Sequence, residues 1–122
     1  MVGIMDNVYE ISLLLDFYGM MLTPRLYEIL DLHYNNDYSL GEIAEQLNIS
    51  RQGVHDNIKR GKAVLNELEE KLGLLSKFSL QKEKASNLLQ VIEKIDTANL
   101  NEMDRQHLEM IKRGINDIIE SI

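Results

Sequence analysis

The most constraining feature of this chain is the stretch SLGEIAEQLNISRQGVHDNIKR at residues 39–60, in which two amphipathic segments each follow a serine. Ser39 is followed three residues later by Glu42, which is the S-x-x-E pattern of an N-terminal capping box. Ser50 is a second candidate N-cap, and Arg51 begins the segment after it. Asn48 lies in the turn between them and tolerates left-handed backbone geometry. Two capped helices joined by a tight turn are typical of the helix-turn-helix motif, whose second helix can lie in the DNA major groove.

The second helix of this motif is predicted to be unusually long. Its apolar positions recur at four- and three-residue steps as far as Gly73, a typical C-terminal stop, and they are Val54, Ile58, Gly61, Leu65, Leu68 and Leu72. Gly61 on this stripe favours either a close helix crossing or a weak point in the helix. On the first helix, Ala44 lies between Ile43 and Leu47 and is small enough for the second helix to cross closely.

Helical periodicity extends over the rest of the chain, and no segment alternates like a strand. A first helix is predicted on the face of Val8, Ile11, Leu15 and Tyr18. A second is predicted to begin at Thr23 and Pro24, an N-cap followed by a proline at the first helical position. Its expected inner face consists of Leu26, Tyr27, Leu30 and Tyr34. We therefore predict an all-α fold with a helix-turn-helix domain at residues 1–75.

Two further helices are predicted in a C-terminal extension at residues 76–122. One has the apolar positions Ala85, Leu88, Ile92 and Ile95. The other is expected to be capped by Asn99 or Asn101 and has the apolar positions Leu108, Ile111, Ile115, Ile118 and Ile122. Such narrow stripes either pack on the rest of the chain or pair two protomers in a homodimer, and the two arrangements are compatible.

Length and composition exclude several classes of protein. A chain of 122 residues with 44% hydrophobic residues suffices for one domain with an extension, and it contains no cysteine for disulfides or thiol catalysis. The longest uncharged runs, residues 17–24 and 85–92, have eight residues each, whereas a membrane-spanning helix needs about 20. The acidic N-terminus lacks the basic region of a signal peptide. We therefore expect a cytoplasmic protein without membrane insertion.

Charge is distributed unevenly along the chain. The net charge is −7, which opposes non-specific binding to nucleic acid. Residues 1–38 contain six acidic residues and one basic residue, a net charge of −5. Residues 51–62 contain four basic residues and one acidic residue, a net charge of +3. The one clearly basic segment is therefore the predicted recognition helix.

The N-terminal turns of a groove-docked helix face base edges, and the candidate base contacts here are Arg51, Gln52, His55 and Asp56. The candidate phosphate contacts are Ser39, Ser50, Lys59, Arg60 and Lys62. The alternative is that this surface is only a solvated helix face. Asp56 favours that alternative, because a carboxylate repels phosphate unless it accepts a hydrogen bond from a cytosine amine.

No catalytic or metal-binding pattern is found. His33, His55 and His107 are far apart in sequence, none belongs to an H-x-x-x-H arrangement, and there is no glycine-rich phosphate loop. We therefore expect a protein that is not an enzyme and that binds no metal or cofactor.

Several short motifs of the sequence match, in order and spacing, those of the YlxM family of small helical proteins of Gram-positive bacteria, which this chain therefore resembles. They are DFY at 16–18, LT at 22–23, DYSLGEIA at 37–44, SRQ at 50–52 and DNIKR at 56–60. The resemblance covers about residues 10–75 and implies a helix-turn-helix similar to region four of bacterial sigma factors. It also implies a regulatory role in the signal recognition particle pathway. Gly53 and His55 depart from the family pattern, which more often has alanine and an aromatic residue there.

Three hypotheses follow for function. The first is a sequence-specific DNA-binding regulator that uses the contacts named above. The second is an adaptor that binds the RNA or the GTPase of the signal recognition particle directly, which the acidic N-terminal third favours. The third, a purely structural dimer module, ranks below both.

Overall fold

The computed structural model describes residues 8–121, so the predicted position Ile122 lies outside the described part. Within it lie six α-helices, in chain order α1 (Val8–Tyr18), α2 (Pro24–Leu30), α3 (Leu40–Leu47), α4 (Arg51–Leu72), α5 (Leu74–Glu93) and α6 (Glu102–Ser121). A 3₁₀ turn at Gly19–Met21 precedes α2, and a π-helical turn at Asp31–Asn35 follows it. The described residues include no strand, and the predicted all-α class is confirmed.

Contacts divide the chain into two compact units, residues 1–75 and residues 76–122. In the first unit α4 is central and packs against α1, α2 and α3. Its fully buried side chains come from all four helices, namely Ile11, Leu14, Tyr18, Ile29, Leu30, Ile43, Val54 and Leu65. Burying side chains of this size is worth about 1.5–3 kcal/mol each before the loss of chain entropy is counted. This core holds the helix-turn-helix in place.

Local hydrogen bonds determine where α3 and α4 begin. Ser39 Oγ accepts from the Glu42 amide at 3.1 Å, and Glu42 Oε1 accepts from the Ser39 amide at 2.8 Å, so the predicted capping box is present. Ser50 Oγ accepts from the Gly53 amide at 2.9 Å at the start of α4. Asn48 ends α3 with a left-handed backbone, φ 57°. The predicted helix-turn-helix geometry is confirmed.

Gly61 marks a close crossing between α4 and the end of α2. An added Cβ at this position would lie 2.6 Å from Leu30 Cδ1, which is far inside van der Waals contact. Helix α4 continues without interruption from Arg51 to Leu72. Of the two interpretations of Gly61, the structure therefore supports the close crossing and shows no break at this position.

Helix α2 begins as predicted, with Thr23 Oγ1 accepting from the Leu26 amide at 3.2 Å and Pro24 at the first position. The predicted inner face is wrong at Tyr27, which is 41% exposed, whereas Ile29 is fully buried. Tyr27 instead covers the 3₁₀ turn, where an added Cβ on Gly19 would lie 2.7 Å from Tyr27 Cε1. The sequence pattern misassigned this side chain because α2 has only seven residues, too few to define a face clearly.

A partly buried hydrogen-bond network holds the junction between α4 and α5. Gly73 ends α4 with φ 64°, in the left-handed geometry that favours glycine. The Tyr18 hydroxyl donates to Glu69 Oε1 at 2.7 Å and accepts from the Leu74 amide at 3.0 Å. Glu69 Oε1 also accepts from the Leu75 amide at 3.0 Å. Burial, together with the hydrogen bond to Glu69, raises the pKa of Tyr18 above its usual value.

The second unit contains α6 and most of α5, and few of its side chains are buried. Ala85 is buried on α5, while the neighbouring predicted position Leu88 is exposed. Asn101 caps α6, because its Oδ1 accepts from the Asp104 amide at 2.7 Å. No described residue of α6 is buried, and Ile111 and Ile118 on its predicted apolar face are each 51% exposed.

Candidate nucleic-acid interface

The predicted base-contact residues all lie in the first two turns of α4 and are all exposed. Gln52 Nε2 donates to Asp56 Oδ1 at 3.0 Å, one helical turn away. His55 Nδ1 lies 3.7 Å from the same Asp56 oxygen. Because an ionised carboxylate only accepts hydrogen bonds, Asp56 orients the amide nitrogen of Gln52 toward itself and leaves the amide oxygen free to accept. Asp56 therefore organises this face as well as adding a negative charge to it.

Arg51 lies against the start of α3. An added Cβ at Gly41 would lie 2.8 Å from Arg51 Nη2 and 3.2 Å from its Nε. The guanidinium therefore occupies the space that a side chain at position 41 would fill. This close approach joins the first turn of α3 to the first turn of α4, although the two positions are separated along the chain by the turn at Asn48. Gly41 positions Arg51, and sequence patterns alone did not indicate this role.

The predicted phosphate-contact residues differ in how firmly the protein holds them. Both serine hydroxyls, on Ser39 and Ser50, already accept cap hydrogen bonds from backbone amides. Arg60 Nη1 donates to Asn57 Oδ1 at 3.3 Å, and Asn57 Nδ2 donates to the Gly53 carbonyl at 2.8 Å. The guanidinium of Arg60 is therefore held along the helix surface.

A shallow depression brings together two of the predicted phosphate contacts and one predicted base contact. Its lining comprises His33, Tyr34, Leu40, His55, Ile58, Lys59 and Lys62. His33 and Tyr34 belong to the π-helical turn and were not among the predicted contacts. No sequence signal indicated them, because they lie outside the motif and meet α4 only through the crossing of the helices.

The capping box has an electrostatic consequence at the start of α3. Hydrogen bonds from the backbone and side chain of Ser39 lower the pKa of Glu42 below its usual value, because they favour the charged carboxylate. Glu42 therefore stays ionised at the N-terminus of α3, where negative charge also complements the helix dipole.

Two further features are absent from residues 8–121. No group of three or more His, Cys, Asp or Glu side chains in this range is arranged to hold a metal ion. No helix in the same range combines the length and the apolar character needed to cross a membrane.

Comparison with known proteins agrees with this geometry. The model of the UPF0122 family, described as "Putative helix-turn-helix protein, YlxM / p13 like", matches residues 5–113. A UPF0122 protein of Acetivibrio thermocellus is 58% identical over 117 residues, which span 96% of this chain and all of that protein. A UPF0122 protein of Desulforamulus reducens is 43% identical over 116 residues, 95% of this chain and 96% of that protein. One from Halalkalibacterium halodurans is 44% identical over 94 residues, 77% and 86% of the two chains.

The family match extends beyond residues 10–75, the range covered by the short sequence motifs, and includes α5 and much of α6. The expected resemblance to the YlxM family is confirmed. The chain belongs to the UPF0122 family of YlxM/p13-like helix-turn-helix proteins.

Proposed function

We propose that this protein is a sequence-specific DNA-binding regulator that inserts the first two turns of α4 into the major groove. The observation that carries the proposal is the exposed, hydrogen-bonded face of Arg51, Gln52, His55 and Asp56 on a helix whose start is capped and whose inner face is buried. A rigid helix with exposed polar groups at its N-terminus matches the docking geometry of helix-turn-helix proteins.

Base recognition is assigned to the side chains of this face. Arg51 suits the O6 and N7 acceptors of guanine. Gln52 suits the N6 and N7 atoms of adenine, and its free amide oxygen can accept from the N6 amine. Asp56 can accept from the N4 amine of cytosine, while His55 completes the face. Each well-formed pair of hydrogen bonds contributes about 1–3 kcal/mol of discrimination between bases.

Phosphate contacts are assigned to Ser39, Ser50, Lys59, Arg60 and Lys62. The local charge of +3 over residues 51–62 attracts the DNA backbone, while the net charge of −7 repels it elsewhere. Electrostatic attraction therefore favours binding only when the basic N-terminal half of α4 faces the DNA. We therefore expect specific binding to exceed non-specific binding and both to weaken as salt concentration rises.

Selection of genomic fragments by the purified protein at physiological salt tests this function. We expect an enriched sequence motif, and we expect Arg51→Ala to weaken binding to it by about 1–3 kcal/mol while relaxing one base position. Lys59→Ala should weaken specific and random DNA alike. Lys71→Ala, at the other end of α4 and paired with Glu67 at 3.2 Å, is the matched control and should change neither. A folded protein that enriches no sequence contradicts the proposal.

We further propose that the protein acts as a homodimer, paired through the exposed apolar positions of α6. Met110, Ile111 and Ile118 are all exposed along this helix, although its sequence is amphipathic. Dimeric helix-turn-helix proteins place two recognition helices about one DNA turn apart, so a dimer would read two half-sites. Sedimentation at micromolar concentration should show a dimer that Ile111→Glu dissociates, while Glu109→Gln leaves it intact. A monomer under those conditions refutes the dimer.

The resemblance to YlxM proteins supports regulation of the signal recognition particle pathway as the biological role. The second candidate is an adaptor that binds the RNA or GTPase of that particle directly. An exposed apolar feature of the acidic N-terminal third favours its protein-binding form: Met20, which is 99% exposed, lines a groove together with Leu15, Asp16 and Tyr27. Flexible methionine side chains such as this adapt readily to protein partners. Purified particle whose GTPase cycle and RNA are unaffected by this protein rules out the adaptor.

A further inference from the structure

The depression between the π-helical turn and α4 has the chemistry of an anion-binding site. Two lysines and two histidines are among its seven lining residues, and none of the seven carries a carboxylate. His33 and Tyr34 come from the turn at Asp31–Asn35, while His55, Lys59 and Lys62 come from α4. π-Helical segments are uncommon and occur frequently at functional sites. The depression therefore joins an element outside the helix-turn-helix to the recognition helix.

The ring of His33 is held in a defined orientation. Its Nδ1 lies 2.8 Å from the Tyr38 carbonyl oxygen, and because a carbonyl only accepts, Nδ1 donates the proton. The ring of Tyr34 packs edge-on at 4.8 Å between centroids and 81° between planes. With Nδ1 committed, Nε2 is the remaining polar atom of this ring. The neutral ring presents a lone pair at Nε2, and the protonated ring presents a donor.

Two carboxylates near the depression accept hydrogen bonds from amide side chains. The Asp31 carboxylate accepts from Asn35 Nδ2 at 2.8 Å and from Asn36 Nδ2 at 3.4 Å. On the α4 side, Asp56 accepts from Gln52. From α1, the Ser12 hydroxyl donates to the Asn35 side chain in this turn. The charged groups that line the depression with His33 are thus basic, namely Lys59, Lys62 and, when protonated, His55.

We propose that this depression binds one phosphate of the DNA backbone, with the protonated His33 Nε2 and the Lys59 ammonium as donors. The inference rests on the proposed DNA-binding function and deepens it, since it adds a contact from outside the helix-turn-helix. A neutral His33 that donates from Nδ1 has no hydrogen at Nε2, so this contact requires the protonated ring and lower pH should favour it.

Three variants separate a ligand contact from a purely structural role of His33. His33→Asn places an amide nitrogen near the Nδ1 position, so it keeps the hydrogen bond to Tyr38 and removes Nε2. His33→Gln instead places an amide nitrogen near the Nε2 position and cannot be protonated. His107→Gln, on exposed α6, is the matched control for loss of one histidine.

Fluorescence anisotropy with a random-sequence DNA duplex, over a salt series at about pH 6 and about pH 8, tests the proposal. Wild type should bind about three- to tenfold more tightly at the lower pH, consistent with one added charge-assisted hydrogen bond. His33→Asn should reduce that gain, leaving only the contribution of His55, and should reduce the magnitude of the salt slope by about 1. His33→Gln should reduce the pH dependence in the same way, and His107→Gln should behave as wild type.

Two results would overturn the proposal. One is a His33→Asn protein with wild-type affinity, salt slope and pH dependence, which would assign His33 only to the bond with Tyr38. The other applies if wild type binds neither this duplex nor any selected genomic fragment, which contradicts the DNA-binding function itself. Inorganic phosphate is then titrated while the His33 and His107 ring signals are followed by NMR. Selective shifts of His33 support an anion site of other use, and unshifted His33 signals refute the site.

Discussion

The helix-turn-helix unit and the C-terminal unit are both helical, yet they differ sharply in how their helices are stabilised. Residues 8–75 contain thirteen of the buried hydrophobic side chains, whereas Ala85 is the one buried hydrophobic side chain described in residues 76–121. The sequence of α6 is amphipathic, but none of its described residues is buried. Amphipathic periodicity therefore predicts a helix equally well in both units, while burial depends on whether a second element covers the apolar face.

The largest expected contrast is in the loss of stability when an apolar side chain is truncated in each of the two units. Leu65→Ala removes a fully buried side chain at the centre of the first unit and should destabilise the protein by about 2–5 kcal/mol. Ile111→Ala removes a side chain that is 51% exposed and should cost the dilute protein about 0.5 kcal/mol or less. Urea unfolding of both variants checks this. Equal losses would mean that the two units are equally packed.

The junction at the start of α5 should contribute the next largest effect. Tyr18→Phe removes the hydroxyl that bonds both Glu69 and the Leu74 amide, and it should cost about 1–3 kcal/mol. Because the pKa of Tyr18 is raised, its contribution is present below the ordinary tyrosine pKa of about 10. It is lost as pH rises through the raised value.

Urea unfolding of wild type and Tyr18→Phe at neutral and strongly alkaline pH measures this dependence. The difference in stability between the two proteins should shrink at alkaline pH. Tyr9→Phe, at an exposed position of α1, is the matched control and should leave stability unchanged. A difference that grows with pH would show that the sign of the linkage is wrong.

Two glycine substitutions of the same kind should change stability in opposite directions. Gly61→Ala gains about 1 kcal/mol of helix propensity but places a Cβ 2.6 Å from Leu30 Cδ1, and overpacking of this kind costs about 1–3 kcal/mol. Gly114→Ala in α6 has nothing within 4 Å of the added Cβ and should stabilise the protein by up to about 1 kcal/mol. Circular dichroism during urea unfolding measures both. Stabilisation by Gly61→Ala would contradict the close crossing of α2 and α4.

The smallest expected effect is at the capping box. Glu42→Gln keeps the hydrogen-bonding pattern but removes the charge. Because the pKa of Glu42 is lowered, its charge contributes stability above the ordinary glutamate pKa, and this contribution is lost as pH falls through the lowered value. Unfolding curves of wild type and variant should therefore differ slightly at neutral pH and coincide in strong acid. A difference that persists in acid would assign the effect to something other than charge.

Much of the fold followed from local patterns. The caps at Ser39 and Ser50, the left-handed Asn48 and the stop at Gly73 were predicted, and Asn101 was one of two predicted caps of α6, because each depends on groups within a few residues. The error at Tyr27 and the missed burial of Ile29 lie in the shortest α-helix, where periodicity is weakest. For the candidate site as well, the sequence predicted the residues that share a helix but not the residues that packing adds to them. The base-contact and phosphate-contact assignments remain predictions, and the placement of all of these residues except the N-caps Ser39 and Ser50 on α4 followed from spacing alone.

The amino-acid sequence alone therefore accounts for which segments are helices, where most of them begin and end, and which face of α4 is polar. These properties depend on backbone caps and periodicity, whose interactions span three or four residues. Long-range contacts depended on the packing of the helices. Tyr18 donates a hydrogen bond to Glu69, 51 residues later in the chain. His33 and Lys59 line the same depression, and the absence of a side chain at Gly41 leaves room for the Arg51 guanidinium. These contacts form because helices that are distant in sequence cross around a shared core, and no local sequence pattern specifies how the helices cross.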